Sequence, residues 1–217
     1  MAQNKMRQEV FALKKRVIEM ANLASSMLAD AMQALQEHDV DLANKTEQKK
    51  HKLRALDYEI EKEALHLIAL YQPLAIDLRR SAAILKIITY LTRIGRYGKD
   101  IAQIVAYLND NEAPNRFINL KHIWEHVQSM IDDAIQAFDE SDIKYIQNFE
   151  KRDDEVDSLR WSIFRESVSY MMEDPHCITP CAHILMIARY LERCGDHACK
   201  IAEKVHYMVT GEHKEIS

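Results

Sequence analysis

Two pairs of carboxylates, each four residues apart, carry the chemistry that this chain can offer: Asp153 with Asp157 in RDDEVDSL, and Glu192 with Asp196 in YLERCGDHACK. On a helix, residues four apart stand one above the other on the same face. Like charges so placed repel by roughly a few tenths of a kcal/mol unless something cationic sits between them. The joining turn centres near His176, with Asp157 nineteen residues before it and Asp196 twenty after; Asp153 is twenty-three before and Glu192 sixteen after. In an antiparallel helix pair rising about 1.5 Å per residue, the four acids fall within about two turns of each other. Four gathered acids call for a cation, and oxygen-only ligands suit magnesium, calcium, manganese or iron over soft-ligand metals. The ordinary alternative is an ion-pair ladder in water, since Arg189, Arg193 and Lys200 stand at pairing distance on the same helix.

The apolar spacing places this cluster. Ile187, Leu191, Cys194, Ala198, Ile201 and Val205 form the stripe that the last helix must bury. Glu192 and Asp196 lie off that stripe, while Asp153 and Asp157 flank the apolar face of their own helix. A metal held by them is expected on the bundle surface, open to water or to a ligand such as phosphate.

Position by position, the last helix repeats a stretch one hundred residues earlier. Ala82, Ile84, Leu85, Ile87, Tyr90, Leu91, Arg93, Gly95, Ile101, Ala102, Val105 and Tyr107 all recur unchanged at +100. The chain is a tandem duplication, and the first copy is an internal control. With Leu53 aligned to Val156 and Leu56 to Leu159, Lys50 and Arg54 stand where Asp153 and Asp157 do, and Thr92 and Arg96 replace Glu192 and Asp196. Three basic side chains and a neutral one cannot bind a cation, so the first copy's site is dead or turned into an anion-binding or salt-bridged patch.

The elements that carry these residues are helices. Four Gly and four Pro in 217 residues are too few for the turns of a β-rich fold. Periodicity predicts three long helices per half, at about 5–38, 39–71 and 73–108, then about 120–139, 142–173 and 179–209. Asp39 or Asp41 can cap the second helix. Pro73 suits the first turn of the third, Pro175 stands in the corresponding place, and Pro180 opens the last. NDNEAPNRFIN, from Asn109, has linker chemistry. The expectation is an all-α tandem repeat of two three-helix bundles, six long antiparallel helices, with units at 1–110 and 111–217 packed together. Gly95 and Gly195, at equivalent points inside helices, suggest a close approach by a neighbouring helix or by something bound.

Charge is unevenly shared. Residues 1–110 hold 17 Lys/Arg against 14 Asp/Glu, and residues 111–217 hold 12 against 20, which reproduces the net charge of -5. That excess does not predict nucleic-acid binding. No apolar run of about twenty residues predicts a membrane span, and the amino terminus lacks the apolar core of a secretion signal. Four cysteines, all in the last quarter, are expected as reduced thiols in a cytoplasmic protein. No nucleophile–base constellation or phosphate-binding glycine loop is visible, so enzymatic activity is not expected.

These same residues carry a resemblance. ARYLERCGDHACKIAE resembles the signature of the PhoU family of phosphate-uptake regulators, whose repeats read LERIGDHA followed by Ile-Ala. YQPLAIDLRRSAAILKIITYL is similar to that family's QPxAxDLR segment, and RDDEVDSL to its DxxxD segment. The three motifs occur in order and span all six helices. The resemblance implies surface metal clusters, here at Asp153, Asp157, Glu192 and Asp196, and one such site per chain, since Lys50, Arg54, Thr92 and Arg96 depart from the motif. It further implies a homodimer, and a cytoplasmic regulator recruited to the inner face of the membrane. There it would restrain import by docking on the ATPase subunit of a phosphate ABC transporter, in bacteria often together with a sensor histidine kinase.

Two other metal readings compete. Glu63 with His66 and Glu203 with His206 have the ExxH spacing of ferritin-like di-metal bundles and oxidases, although Glu203 is expected on the outer face beside Glu192. His176, Cys177, Cys181, His183, Cys194 and Cys199 could form a soft-metal site, but their spacing is not a zinc knuckle, and Cys194 sits on the apolar stripe like a small hydrophobe. The Tyr residues at 90, 107, 190 and 207, with Trp161, Met171 and Met172, are expected at helix contacts. Lys14, Lys15 and Arg16 are expected to form a solvated face, and Arg79 and Arg80 could meet an acidic partner or phosphate.

Overall fold

The computed structural model describes residues 2–108 and 118–216, with the side chains of 2–4 and 118 excepted. The linker chemistry at 109–117 lies outside the described residues. Helix α1 runs Ala2–Glu37, α2 Val40–Gln48, α3 Lys50–Tyr71 and α4 Ala75–Leu108. In the second half α5 runs Ile118–Glu140, a 3-10 turn spans Ile143–Ile146, α6 runs Phe149–Glu173, a second 3-10 turn spans Pro175–Cys177, and α7 runs Ile178–Thr210. Among the described residues there is no strand, and α2 passes into α3 through the single right-handed residue Lys49. Each half is therefore three long helices, as the periodicity predicts.

The duplication extends to the atoms that start and stop these helices. His38 and Ser141, 103 apart, both take a left-handed conformation (φ 55° and 54°) after the first helix of their half. In each half the adjacent aspartate then caps the next helical turn: Asp39 Oδ1 accepts from the Leu42 amide at 2.8 Å, and Asp142 Oδ1 from the Lys144 amide at 2.9 Å. Ten residues on, Lys49 pairs with Asp30 and reaches Ser26 at 3.5 Å. Arg152 repeats this, 2.6 Å from Asp133 and 2.9 Å from Ser129. These clamps fasten the start of the second long helix to the first. Pro73 precedes α4 rather than entering its first turn, because Gln72 ends α3 in a left-handed conformation (φ 44°) and the chain turns before helix resumes at Ala75.

The buried stripes keep the same offset. Val17, Met20, Ala24, Met27 and Leu28 of α1 correspond to Leu120, Ile123, Val127, Met130 and Ile131 of α5, and all ten are buried. One continuous core joins the halves, with α4 packed on α7 and α1 on α5. Across that seam Tyr97 stacks on His197 (centroids 5.9 Å apart), Tyr90 on His197 (5.8 Å) and Tyr97 on Tyr190 (5.4 Å). Gln128 donates to Ser25 at 2.6 Å. Equivalent positions of the two copies thus face one another (97 with 197, 25 with 128), which is the signature of a two-fold pseudo-axis relating the halves. Tyr107 stacks on His183 at 5.6 Å, and Tyr207 stacks on His213 rather than on another helix. Trp161 and Met172 are exposed instead of seated at helix contacts; Trp161 lies under the Arg160 guanidinium and edge-on to Phe164.

The glycines divide. A Cβ on Gly98 would come within 2.7 to 2.8 Å of the Met27–Leu28 backbone, and one on Gly95 within 2.4 Å of Leu53 Cδ2. Gly195 is not squeezed: its nearest neighbours would be Val156 at 3.6 Å, Val127 at 3.7 Å and Asp153 Oδ1 at 3.8 Å.

Candidate functional site

Helices α6 and α7 are antiparallel, and three contacts fix their register. Cys199 Sγ donates to Asp153 Oδ1 at 3.5 Å, the Gly195 position faces Val156, and Arg160 Nε stands 3.8 Å from Glu192 Oε1. Each pair is centred within about half a residue of position 176, the turn that the sequence placed there. In this register Asp157 and Asp196 share one level, Asp153 stands a turn to one side at the level of Cys199, and Glu192 a turn to the other at the level of Arg160.

Repulsion is written into Asp153. Burial, then the nearby charges of Asp196, Asp157 and Asp154, push its carboxyl up from 3.8 to about 6, against the Cys199 hydrogen bond that lowers it. Asp157 is exposed, and Asp196 is half-buried and held by Arg193 at 3.1 Å.

Glu192 departs from expectation. It is 7% exposed rather than off the buried face, because α6 covers it with Arg160. Arg189 pairs with it directly, and Arg193 approaches to 3.9 Å. Burial and Asp196 raise its pKa, while the three guanidiniums pull it back. Its Oε2 is nonetheless buried without a hydrogen-bond partner. Arg160 and Arg189 thus share Oε1, and Oε2 has only the distant Arg193 guanidinium and no hydrogen bond.

The donor set fits a hard cation in its chemistry: three aspartates within about a turn of each other, one raised by burial and by its acidic neighbours, a glutamate oxygen without a hydrogen bond, and a roomy glycine beside Asp153. Side-chain positions are not those of a closed site, since among the described residues no three His, Cys, Asp or Glu converge closely enough to hold a metal ion.

At the equivalent place in the first half the charges are inverted. Asp57 replaces Arg160, with Thr92 in place of Glu192; burial raises Asp57, and Thr92 holds it back. Lys50 pairs with Glu47 at 2.9 Å, which makes it part of a salt-bridged patch.

The competing clusters come apart. Glu63 pairs with Arg16 in the first half. Glu203 is 8% exposed instead of outward-facing, because it accepts from Lys200 at 2.7 Å and from the Ile216 amide at 3.2 Å, where the tail folds over it. His206 contacts the Glu212 carbonyl and Thr210. None of the four cysteines is in a disulfide, three of them are buried, and burial raises the pKa of Cys194 and Cys199. Arg16 is neutralised by Glu59 and Glu63, and Lys14 by Asp139 at 3.0 Å. Arg80 lies 3.4 Å from Asp77, and Arg79 lies beside Gly211 at the end of α7.

Sequence reasoning missed His197, which lies at the seam between halves. Burial and the Arg93 charge, with a smaller push from Arg193, lower its pKa to about 4 against the opposing pull of Asp196.

Two fused three-helix bundles, a two-fold pseudo-axis and an acidic face kept in one copy define a tandem helical-bundle protein. The PhoU domain matches it twice, over residues 17–105 and 120–205, and the chain belongs to the PhoU family. The "phosphate-specific transport system accessory protein PhoU homolog" of Caulobacter vibrioides is 37% identical over 206 residues, covering 94% of this chain and 90% of that one. The protein of the same name from Rhizobium meliloti is 36% identical over 205 residues, covering 94% and 86%. The crystal structure of PhoU from Pseudomonas aeruginosa superimposes with a TM-score of 0.91 at 32% identity, covering 95% of this chain and 99% of that one. These names are those of an accessory protein, not of an enzyme.

Proposed function

We propose that this chain regulates phosphate import, acting as a non-enzymatic accessory protein that docks on the cytosolic ATPase subunit of a phosphate ABC transporter. A sensor histidine kinase is the second partner in hosts that have one, and the working form is a homodimer at the inner face of the membrane. The observation that carries this reading is the match to phosphate-transport accessory proteins over nearly the whole of both chains. Among the described residues no helix is long and apolar enough to cross a membrane, so membrane recruitment would come through the partner. Deletion of the gene in its host, with phosphate uptake followed by radiolabel, tests the reading. Excess uptake restored by the intact gene is expected, together with co-purification of the ATPase subunit; unchanged uptake would overturn it.

The acidic face of the second half is the proposed metal site. Asp153, Asp157 and Asp196 would hold a hard cation, and Glu192 would join through Oε2, the oxygen without a hydrogen bond. The ion would supply positive charge where Asp153 now meets its acidic neighbours. Elemental analysis of protein purified without chelator or nickel, beside the Glu192→Gln/Asp196→Asn double variant, checks this. Iron, manganese, magnesium or calcium is expected in the first and not in the second. Equal metal content in both would refute the assignment.

A further inference from the structure

Beside the acidic face, a cleft of about 510 Å³ opens along the seam where α4 and α7 run antiparallel. Lys86 and Arg93 are seven residues apart on α4, and Arg193 and Lys200 seven apart on α7, so each pair spans two turns of one helix face. All four line the cleft, with Tyr90 and His197 stacked on its floor. Asp196 is the one carboxylate on its lining. Arg193 is matched with Asp196, and Lys200 with Glu203. Neither Lys86 nor Arg93 has a carboxylate within ion-pair distance among the described residues, and both are exposed. His197 adds a buried Nε2 without a hydrogen-bond partner.

This basicity is not a by-product of the duplicated fold. On the face related by the pseudo-axis, Met186 stands where Lys86 does and Asp100 where Lys200 does. The cleft there takes in Glu47 as well. One copy of the groove has become cationic and the other acidic. An unmatched lysine and an unmatched arginine, converging with two further cations and a ring nitrogen, make a site for a multiply charged oxyanion.

We propose that the α4/α7 cleft binds a phosphate group, free as inorganic phosphate or carried on a nucleotide. The cleft shares only Asp196 with the proposed metal site, and a failure to bind would leave the transport reading untouched. Isothermal titration of the chelator-treated full chain with inorganic phosphate, and separately with ATP, tests it. Saturable binding of one ligand per chain is expected for at least one of the two, weakening as salt is raised. The Lys86→Ala/Arg93→Ala variant should weaken that binding at least tenfold while keeping the wild-type circular dichroism. A Lys121→Ala/Lys151→Ala control, which removes the same charge from exposed sites elsewhere, should change it less than twofold. Tight phosphate would identify the free anion, and ATP alone the nucleotide; both support the site. No saturable binding of either, equal loss in the control, or binding that appears only after metal is added back would overturn it.

Discussion

Asp153→Asn is the substitution that separates a strained carboxylate from a solvated one. Each pKa unit is worth about 1.4 kcal/mol, so a rise from 3.8 to about 6 costs the ionised folded state about 3 kcal/mol at the limit. Asp153 is only half-buried, and solvent screening brings this to about 1.5 kcal/mol. The sign comes from proton uptake. Between pH 3.8 and about 6 the folded protein holds this proton more often than the unfolded chain, so stability falls as pH rises through that window. Asparagine is isosteric, carries no charge, and keeps an oxygen for the Cys199 thiol. In chelator-treated protein the variant should therefore be about 1.5 kcal/mol more stable than wild type at pH 7.5 and nearly equal to it at pH 4. Urea denaturation followed by circular dichroism at both pH values measures the difference. Added metal should reverse the ranking, since an ion bound only to the folded wild type stabilises only the wild type. A variant less stable than wild type at pH 7.5 without metal, or a gain independent of pH, would refute the reasoning.

Gly98→Ala should destabilise by about 1–3 kcal/mol net, because overpacking against the α1 backbone outweighs the roughly 1 kcal/mol gained in helix propensity. Gly195→Ala, with nothing inside 3.6 Å, should stabilise the metal-free protein by about 1 kcal/mol; thermal melting compares the two. Arg152→Ala should cost about 1–2 kcal/mol by loss of the Asp133 and Ser129 contacts, and Lys49→Ala less, measured by the same melts. With an aromatic disulfide reagent, Cys177 should react rapidly in the native protein, and Cys181, Cys194 and Cys199 only on unfolding.

Helix placement was legible because apolar residues recur at helical spacing with few breakers between them, and Asp39 announces the cap of the second helix, whereas the matching cap at Asp142 emerged only from the structure. The register of α6 on α7 was legible too, since one short turn at 174–177 fixes which levels meet. Side-chain reach was not. A wheel places Glu192 and Glu203 off the apolar stripe, but Arg160 arriving from α6 and Ile216 from the tail bury them. Neither lies within helical spacing of the glutamate it covers. Trp161 misled in the opposite direction, since aromatic character says nothing about which helix face remains uncovered once α6 has docked. The cleft around His197 depends on how α4 crosses α7 between halves, a relation that no local pattern encodes.

The pseudo-axis has a consequence for how such a chain can change. A residue on the axis, such as Tyr97 facing His197 or Ser25 facing Gln128, has its twin as its neighbour, so a substitution there alters a single shared contact. Off the axis each feature exists twice and at a distance. One copy can keep the architecture sound while the other drifts, which is how carboxylates on one side could become lysine and arginine on the other without the bundle coming apart. Independent drift of one copy is therefore expected away from the axis, whereas a change on it, such as Tyr97 against His197, is felt by both halves at once.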